Sequence, residues 1–183
     1  MVSPRIRSRR GSLRMAGAAA CLAIAATACA REAPDAGGAA SAAEAPALAA
    51  NRRLVERYFG EVWSGGDLDA LDELLDPAYV NHTPSTPDPA PGPAGLKPIV
   101  RAFRVAFPDL QYAIEDVIAT PEHVVARVTM TGTHRGPLFG LAPTGRRVSV
   151  AQINIERIRD GRIVEHWRVT DELSLLRQLG VVR

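Results

Sequence analysis

The sequence predicts an α+β fold, with helices first and a meander of strands afterwards. Three observations carry that expectation. Apolar residues recur at helical spacing between Asn51 and Phe107. Runs of β-type residues separated by turn signals then fill the chain from Leu110 to Thr170. Within Arg146–Gly180, Asp160-Gly161 divides two such runs, Val148–Ile158 and Ile163–Thr170. Asp-Gly marks a tight hairpin, because glycine accepts positive φ and the turn then matches the twist of the strands. A strongly curved sheet closed on one side by helices makes a cone with an apolar interior.

The N-terminus reads as a targeting segment. Five arginines (Arg5, Arg7, Arg9, Arg10 and Arg14) precede Met15–Ala28, an apolar run of about fourteen residues. That run is short for a bilayer span and suits a secretory signal. Ala26-Thr27-Ala28-Cys29 resembles a lipobox, with Ala26 where Leu is usual, and makes Cys29 the expected lipidation site. Cleavage after Ala30 is the non-lipidated alternative. Ser8-Arg9-Arg10-Gly11-Ser12-Leu13 has the form of a degraded twin-arginine signal. The expected location is outside the bacterial cytoplasmic membrane, lipid-anchored or periplasmic.

Cys21 and Cys29 are the only cysteines of the 183 residues, so disulfides, thiolate catalysis and Cys-based metal sites fall away from the mature domain. The four histidines (82, 123, 134 and 166) have no ligand spacing, and neither a metal nor a cofactor is expected. Removing the signal takes the formal charge from +2 to about −3, since it holds five arginines and no acidic residue. A weakly acidic domain argues against nucleic acid as a partner.

Residues 30–48, rich in Ala, Gly and Pro, read as a tether, and residues 49–183 as the domain. Asn51–Trp63 places Leu54, Val55, Tyr58, Phe59, Val62 and Trp63 on a helix that Ser64-Gly65-Gly66 stops. Asp67 caps a second helix carrying Leu68, Leu71, Leu74 and Leu75, ended by Pro77. Tyr79–Thr83 is extended, and Ser85–Gly92 is a Pro-rich loop. Pro93 opens a third helix with Leu96, Ile99, Val100, Phe103 and Phe107 on its buried side. Strands Leu110–Ala119 and His123–His134 follow, the second with Val124, Ala126, Val128, Met130, Gly132 and His134 on one face. In the Gly/Pro loop Arg135–Gly145, Leu138, Phe139 and Leu141 suggest a flap over a cavity.

Counting outwards from a two-residue loop pairs Asn154 with Trp167, Gln152 with Val169 and Val150 with Asp171. Those residues and Val148 then share one face, while Ile153, Ile155, Val164 and His166 point away. A few polar groups set into an apolar floor is how small-molecule sites are built. Asp171 before Glu172-Leu173-Ser174 equally has the form of a helix N-cap. The outward face offers a surface for a homodimer.

Several segments together resemble the SnoaL-like polyketide (ester) cyclases: Tyr79-Val80-Asn81-His82, Gly92-Pro93, Gly132-Thr133-His134-Arg135-Gly136, Gly140–Arg147, Asp160-Gly161-Arg162-Ile163 and Leu176-Arg177-Gln178-Leu179-Gly180. The resemblance covers about Asn51–Gly180. It implies the nuclear-transport-factor-2-like cone, with a curved mixed sheet around the helices, and cofactor-free aldol cyclisation of polyketide methyl esters. The family's carboxylate acid/base matches Asp171, and a cavity-lining Asn matches Asn81. Asn154 stands where some cyclases have His, so proton chemistry is expected on Asp171, assisted by His82 or His134. The expected substrate-binding residues are Asn81, Met130, Phe139, Gln152, Asn154 and Trp167. An apolar cavity would raise the pKa of Asp171 towards neutrality, whereas an N-cap would lower it.

The implied activity is cofactor-free acid/base chemistry, an intramolecular aldol or related proton transfer on a small apolar carbonyl compound. A ketosteroid-isomerase-like isomerase or dehydratase, and a non-catalytic ligand-binding lipoprotein, are the alternatives. The membrane enters only through a lipid anchor.

Overall fold

The computed structural model describes residues 36–183. The signal segment, Cys29 and the first residues of the expected tether lie outside the described residues. Helix α1 runs Ala36–Arg57, so it begins at Ala36 rather than at Asn51. The cause is composition: alanine has the highest helix propensity, and Pro46 interrupts the ladder without ending it. The chain continues through wider π-helical turns, Tyr58–Ser64, which bury Tyr58, Phe59, Val62 and Trp63 together. Arg104 donates to the carbonyls of Trp63 (3.0 Å) and Ser64 (2.8 Å), satisfying acceptors that the helix end leaves open.

Asp67 accepts from the backbone N–H of Asp69 and Ala70, as its expected capping role requires, and α2 spans Ala70–Leu74. That helix is shorter than expected. Leu75 and Pro77 belong to strand β1, Leu75–Asn81. Proline is tolerated there because β1 is an edge strand whose register slips between Leu75 and Val80. Helix α3, Pro93–Ala106, starts at proline and turns Leu96, Ile99, Val100 and Phe103 inward.

Strands β2 (Gln111–Ala119), β3 (His123–Thr133), β4 (Arg147–Arg159) and β5 (Arg162–Thr170) complete the sheet, and α4 (Glu172–Leu179) closes the chain. The spatial order is β1-β5-β4-β3-β2, with β1 parallel to β5 and the other pairs antiparallel. The expected inner face of β3 is buried throughout, from Val124 to Gly132 and on to His134. Gly132 is required by close approach: a β-carbon would lie 2.9 Å from that of Phe107. One core joins this face to Val55 of α1 and the aromatic residues of its π-helical extension.

The β4–β5 hairpin corrects the counted register. Asp160 (φ 52°) and Gly161 (φ 72°) form the two-residue turn, and Arg159 faces Arg162 as expected. Ile158 then pairs with Ile163 but Arg157 pairs with Glu165, so Val164 is an extra residue, a β-bulge. Every pair beyond it moves by one, which exchanges the faces of β5. Asn154 lies opposite Arg168, Gln152 opposite Thr170 and Ile155 opposite Trp167. Trp167 therefore leaves the face of Asn154. His166 and Val164, expected outside, are 4% and 6% exposed. The outer face keeps Ile153 and Ile155, gains Trp167 and Val169, and loses Val164 and His166.

Candidate functional site

Strand alternation on β4 brings Val148, Val150, Gln152, Asn154, Glu156 and Ile158 to the concave face, all buried. The bulge on β5 aims His166, Arg168 and Thr170 at the same space. A cavity of about 460 Å³ opens above them. Met130, Phe103, Phe139, Leu175 and Leu176 give it apolar walls, and Gln152, Arg168, Thr170, Glu172, Thr83 and Ser85 give it polar groups. Arg168 is held rather than loose: its Nη2 donates to Ser85 Oγ at 2.9 Å and its backbone N–H to Thr83 Oγ1 at 2.8 Å.

The flap has an unusual backbone. Leu138 and Leu141 bridge each other across Phe139 (φ 48°) and Gly140 (φ 80°). A phenylalanine in the left-handed region is strained by about 1–2 kcal/mol. Its ring is nonetheless 67% exposed, meets Phe103 edge-on at 5.8 Å and lines the cavity mouth.

Beneath the main cavity lies a void of about 10 Å³, bordered by Gln152, Asn154, His166 and Arg168 against Tyr58, Phe59, Trp63 and Tyr112. Next to it Glu156 Oε1 and His166 Nδ1 meet at 2.8 Å, with the carboxylate fully buried. Burial, reinforced by the charge of Glu156, raises the Tyr58 phenol far above its ordinary range. Burial likewise raises Tyr79, helped by Tyr58 and Glu156. Burial pushes Tyr112 up to about 12, against the opposing influence of Arg168 and Gln152. All three phenols therefore keep their protons near neutral pH and remain donors. Gln152 Oε1, Asn154 Nδ2, Glu156 Oε2, Thr170 Oγ1 and Tyr79 Oη are buried without a protein partner among the described residues.

The expected site residues divide. Met130, Phe139 and Gln152 line the 460 Å³ cavity and Asn154 its underlying void. Asn81 lines a separate cavity of about 390 Å³ beneath the Pro-rich loop. Its Oδ1 accepts from Thr83 N–H at 2.9 Å, which sets the hydroxyl that anchors Arg168. Trp167 is on the convex face, stacked on His82 at 4.5 Å, and His82 Nε2 lies 2.9 Å from Glu165. His134 is fully buried behind Phe107, with Nδ1 accepting from Thr144 N–H at 3.2 Å. Desolvation lowers its pKa, which keeps the ring neutral. Neither His82 nor His134 borders the cavity. Asp171 caps α4, its Oδ1 accepting from Ser174 N–H at 2.9 Å, and its side chain is not part of the cavity wall although Thr170 and Glu172 are.

Sequence reasoning missed Glu156, His166, Arg168 and Thr170. Glu156 was legible, since it shares strand parity with Gln152 and Asn154 and needs no pairing partner to place it. The other three depended on the bulge. Among the described residues no cluster of three His, Cys, Asp or Glu side chains is arranged to hold a metal ion.

Residues 53–179 match the family model described as SnoaL-like polyketide cyclase. The chain is 34% identical over 140 residues to the aklanonic acid methyl ester cyclase DnrD of Streptomyces peucetius, covering 70% of this chain and 87% of that protein. It is 33% identical over 117 residues to the nogalonic acid methyl ester cyclase of Streptomyces nogalater, covering 63% and 87%. Among solved structures, TsrD from Streptomyces laurentii superposes with a TM-score of 0.67 at 33% identity, covering 73% of this chain and 97% of that one. With the concave site, the strand order and these relatives in agreement, the chain belongs to the SnoaL-like polyketide cyclases, an enzyme family with the nuclear-transport-factor-2-like fold.

Proposed function

We propose that this protein closes a ring in a small, largely apolar carbonyl compound by intramolecular aldol addition, using protein acid/base groups alone. One observation supports this above the rest: Arg168, Gln152 and Thr170 converge from two strands on a 460 Å³ cavity with apolar walls from Met130, Phe103, Phe139, Leu175 and Leu176. A cavity of that size encloses a drug-sized molecule. Folding the substrate so that its reacting carbons meet supplies proximity. Arg168 and the Gln152 amide donate to the enolate oxygen where charge develops. The reaction is an isomerisation, so proton transfers balance it.

Asp171 remains the proposed proton acceptor at the rim. It lies between two cavity-lining residues, and Ser174 engages only its Oδ1. The substrates named for the relatives supply the assay. Purified mature protein is incubated with aklanonic acid methyl ester and with nogalonic acid methyl ester, and products are separated by liquid chromatography with mass detection. A product of unchanged mass and altered retention is expected. Asp171→Asn should lower kcat at least about 100-fold with little change in KM, and Arg168→Ala should raise KM. Conversion of neither ester by the wild type overturns the cyclase assignment. Saturable binding without conversion would favour a ligand carrier instead.

A further inference from the structure

We infer that His166, oriented by Glu156, is a second proton-transfer group of this cavity, acting from below the substrate through the small void. The inference rests on the cyclase reading above. Three observations carry it. The pair is deeply buried, with Glu156 unexposed and His166 4% exposed. It adjoins a void of about 10 Å³ that Gln152 and Arg168 share with the main cavity. That is room for roughly one water molecule, between polar groups able to hold it. Finally, Gln152, Asn154 and Glu156 stand at alternate positions of one strand face, and each carries a buried polar atom without a protein partner. The three side chains form a polar ladder leading from the cavity to the pair.

The chemistry follows from the geometry. Nδ1 of His166 is committed to the Glu156 carboxylate at 2.8 Å, so it carries the proton in the neutral ring. Nε2 is left with its lone pair, on a ring that lines the void. It accepts, relayed by water, the proton that Asp171 takes from the acidic carbon of the substrate. The carbon–hydrogen bond breaks, and its electron pair becomes the enolate. The enolate carbon bonds to the receiving carbonyl carbon, and that carbonyl's π electrons move to its oxygen. The oxygen takes the proton back from Nε2, which restores the neutral ring. Glu156 balances the imidazolium charge in between, as a carboxylate beside a catalytic histidine does. The other groups facing the pair are Tyr58 from the π-helical turns, Tyr79 from β1 and Arg168 from β5, with Tyr112 on β2 across the void. Burial holds the three phenols protonated, so none of them competes as the base.

Two measurements decide the matter. The first needs no substrate. Long-range ¹H–¹⁵N spectra of wild-type protein at pH 7.5, with the His166 signal identified by its loss in His166→Gln, should show a protonated Nδ1 and an unprotonated Nε2. A ring protonated on Nε2 alone overturns the inference, whether or not any ester is turned over. The second uses aklanonic acid methyl ester. His166→Gln should lower kcat about 100-fold or more, change KM less than about threefold, and abolish the acid-side fall of kcat/KM. Glu156→Gln should retain folding and an intermediate rate. Thermal unfolding of each variant checks the fold. A folded His166→Gln with turnover and pH profile like the wild type overturns the inference while leaving the cyclase assignment intact. Failure of the wild type on both esters defeats that assignment, and the inference that rests on it falls with it.

Discussion

At the scale of single residues, the buried Glu156–His166 pair sets a cost that folding does not require. Removing one member of a buried hydrogen-bonded pair leaves an unsatisfied polar group, which costs about 1–3 kcal/mol, whereas replacing both by apolar residues of similar volume is often neutral or stabilising. Glu156→Leu alone should therefore destabilise strongly. Glu156→Leu with His166→Leu should recover most of that loss, as read from urea unfolding midpoints. Equal and additive losses would instead make the pair a net structural contributor. His134 makes a separate prediction about pH. Desolvation holds its folded-state pKa below the ordinary value of 6.5. As pH falls below about 6.5 the unfolded state binds the proton and the folded state resists it, so stability declines; above that pH the effect is absent. The Asn side chain places Oδ1 where Nδ1 accepts from Thr144 and does not titrate. His134→Asn should accordingly show a shallower fall of melting temperature between pH 7 and pH 5 than the wild type. Asp109 and Glu165, whose pKa values are lowered by hydrogen bonds from Thr133 and from His82 respectively, act only at more acidic pH.

At the scale of elements, the last helix and the bulged strand share the task of shaping the cavity. Helix α4 is short, and its first turn is fixed by Asp171, which accepts Ser174 N–H, while Gly180 in the left-handed conformation (φ 80°) ends it. Leu175 and Leu176 from that helix wall the cavity. Asp171→Ala should lower stability by about 1 kcal/mol through loss of the cap, whereas Asp171→Asn, which can still accept the N–H, should lose only a fraction of that. Chemical denaturation of the two variants separates the cap from the chemistry, because the proposed base requires the carboxylate and the cap does not. On β5, the bulge at Val164 decides which side chains reach the site. A strand without it would present Trp167 and Val169 to the cavity and turn Arg168 outward.

At the scale of the whole molecule, the described residues form a furnished cone, and an export signal is proposed for the N-terminal sequence. The proposed acylation of Cys29 predicts that native protein is recovered with membranes. Its intact mass should then correspond to a chain beginning at Cys29 with added acyl groups. A mature N-terminus at Arg31 without acyl mass would show simple secretion.

The sequence by itself determined the order of elements, the buried faces of the first three helices and of β3 and β4, the hairpin turn and the family. These are local quantities. Periodicity within one element fixes which of its faces is apolar, and a turn dipeptide fixes where two strands join. Tertiary structure alone decided the faces of β5 and the partners of its side chains. A bulge inserts one residue wherever packing of Ile163 and Val164 against the core favours both pointing inward, and nothing in the run Ile163–Thr170 marks that choice. The same shift moved Trp167 out, brought His166, Arg168 and Thr170 in, and left Asp171 at the start of α4. A site assembled across two strands depends on register, and register is settled by the packing of the whole sheet.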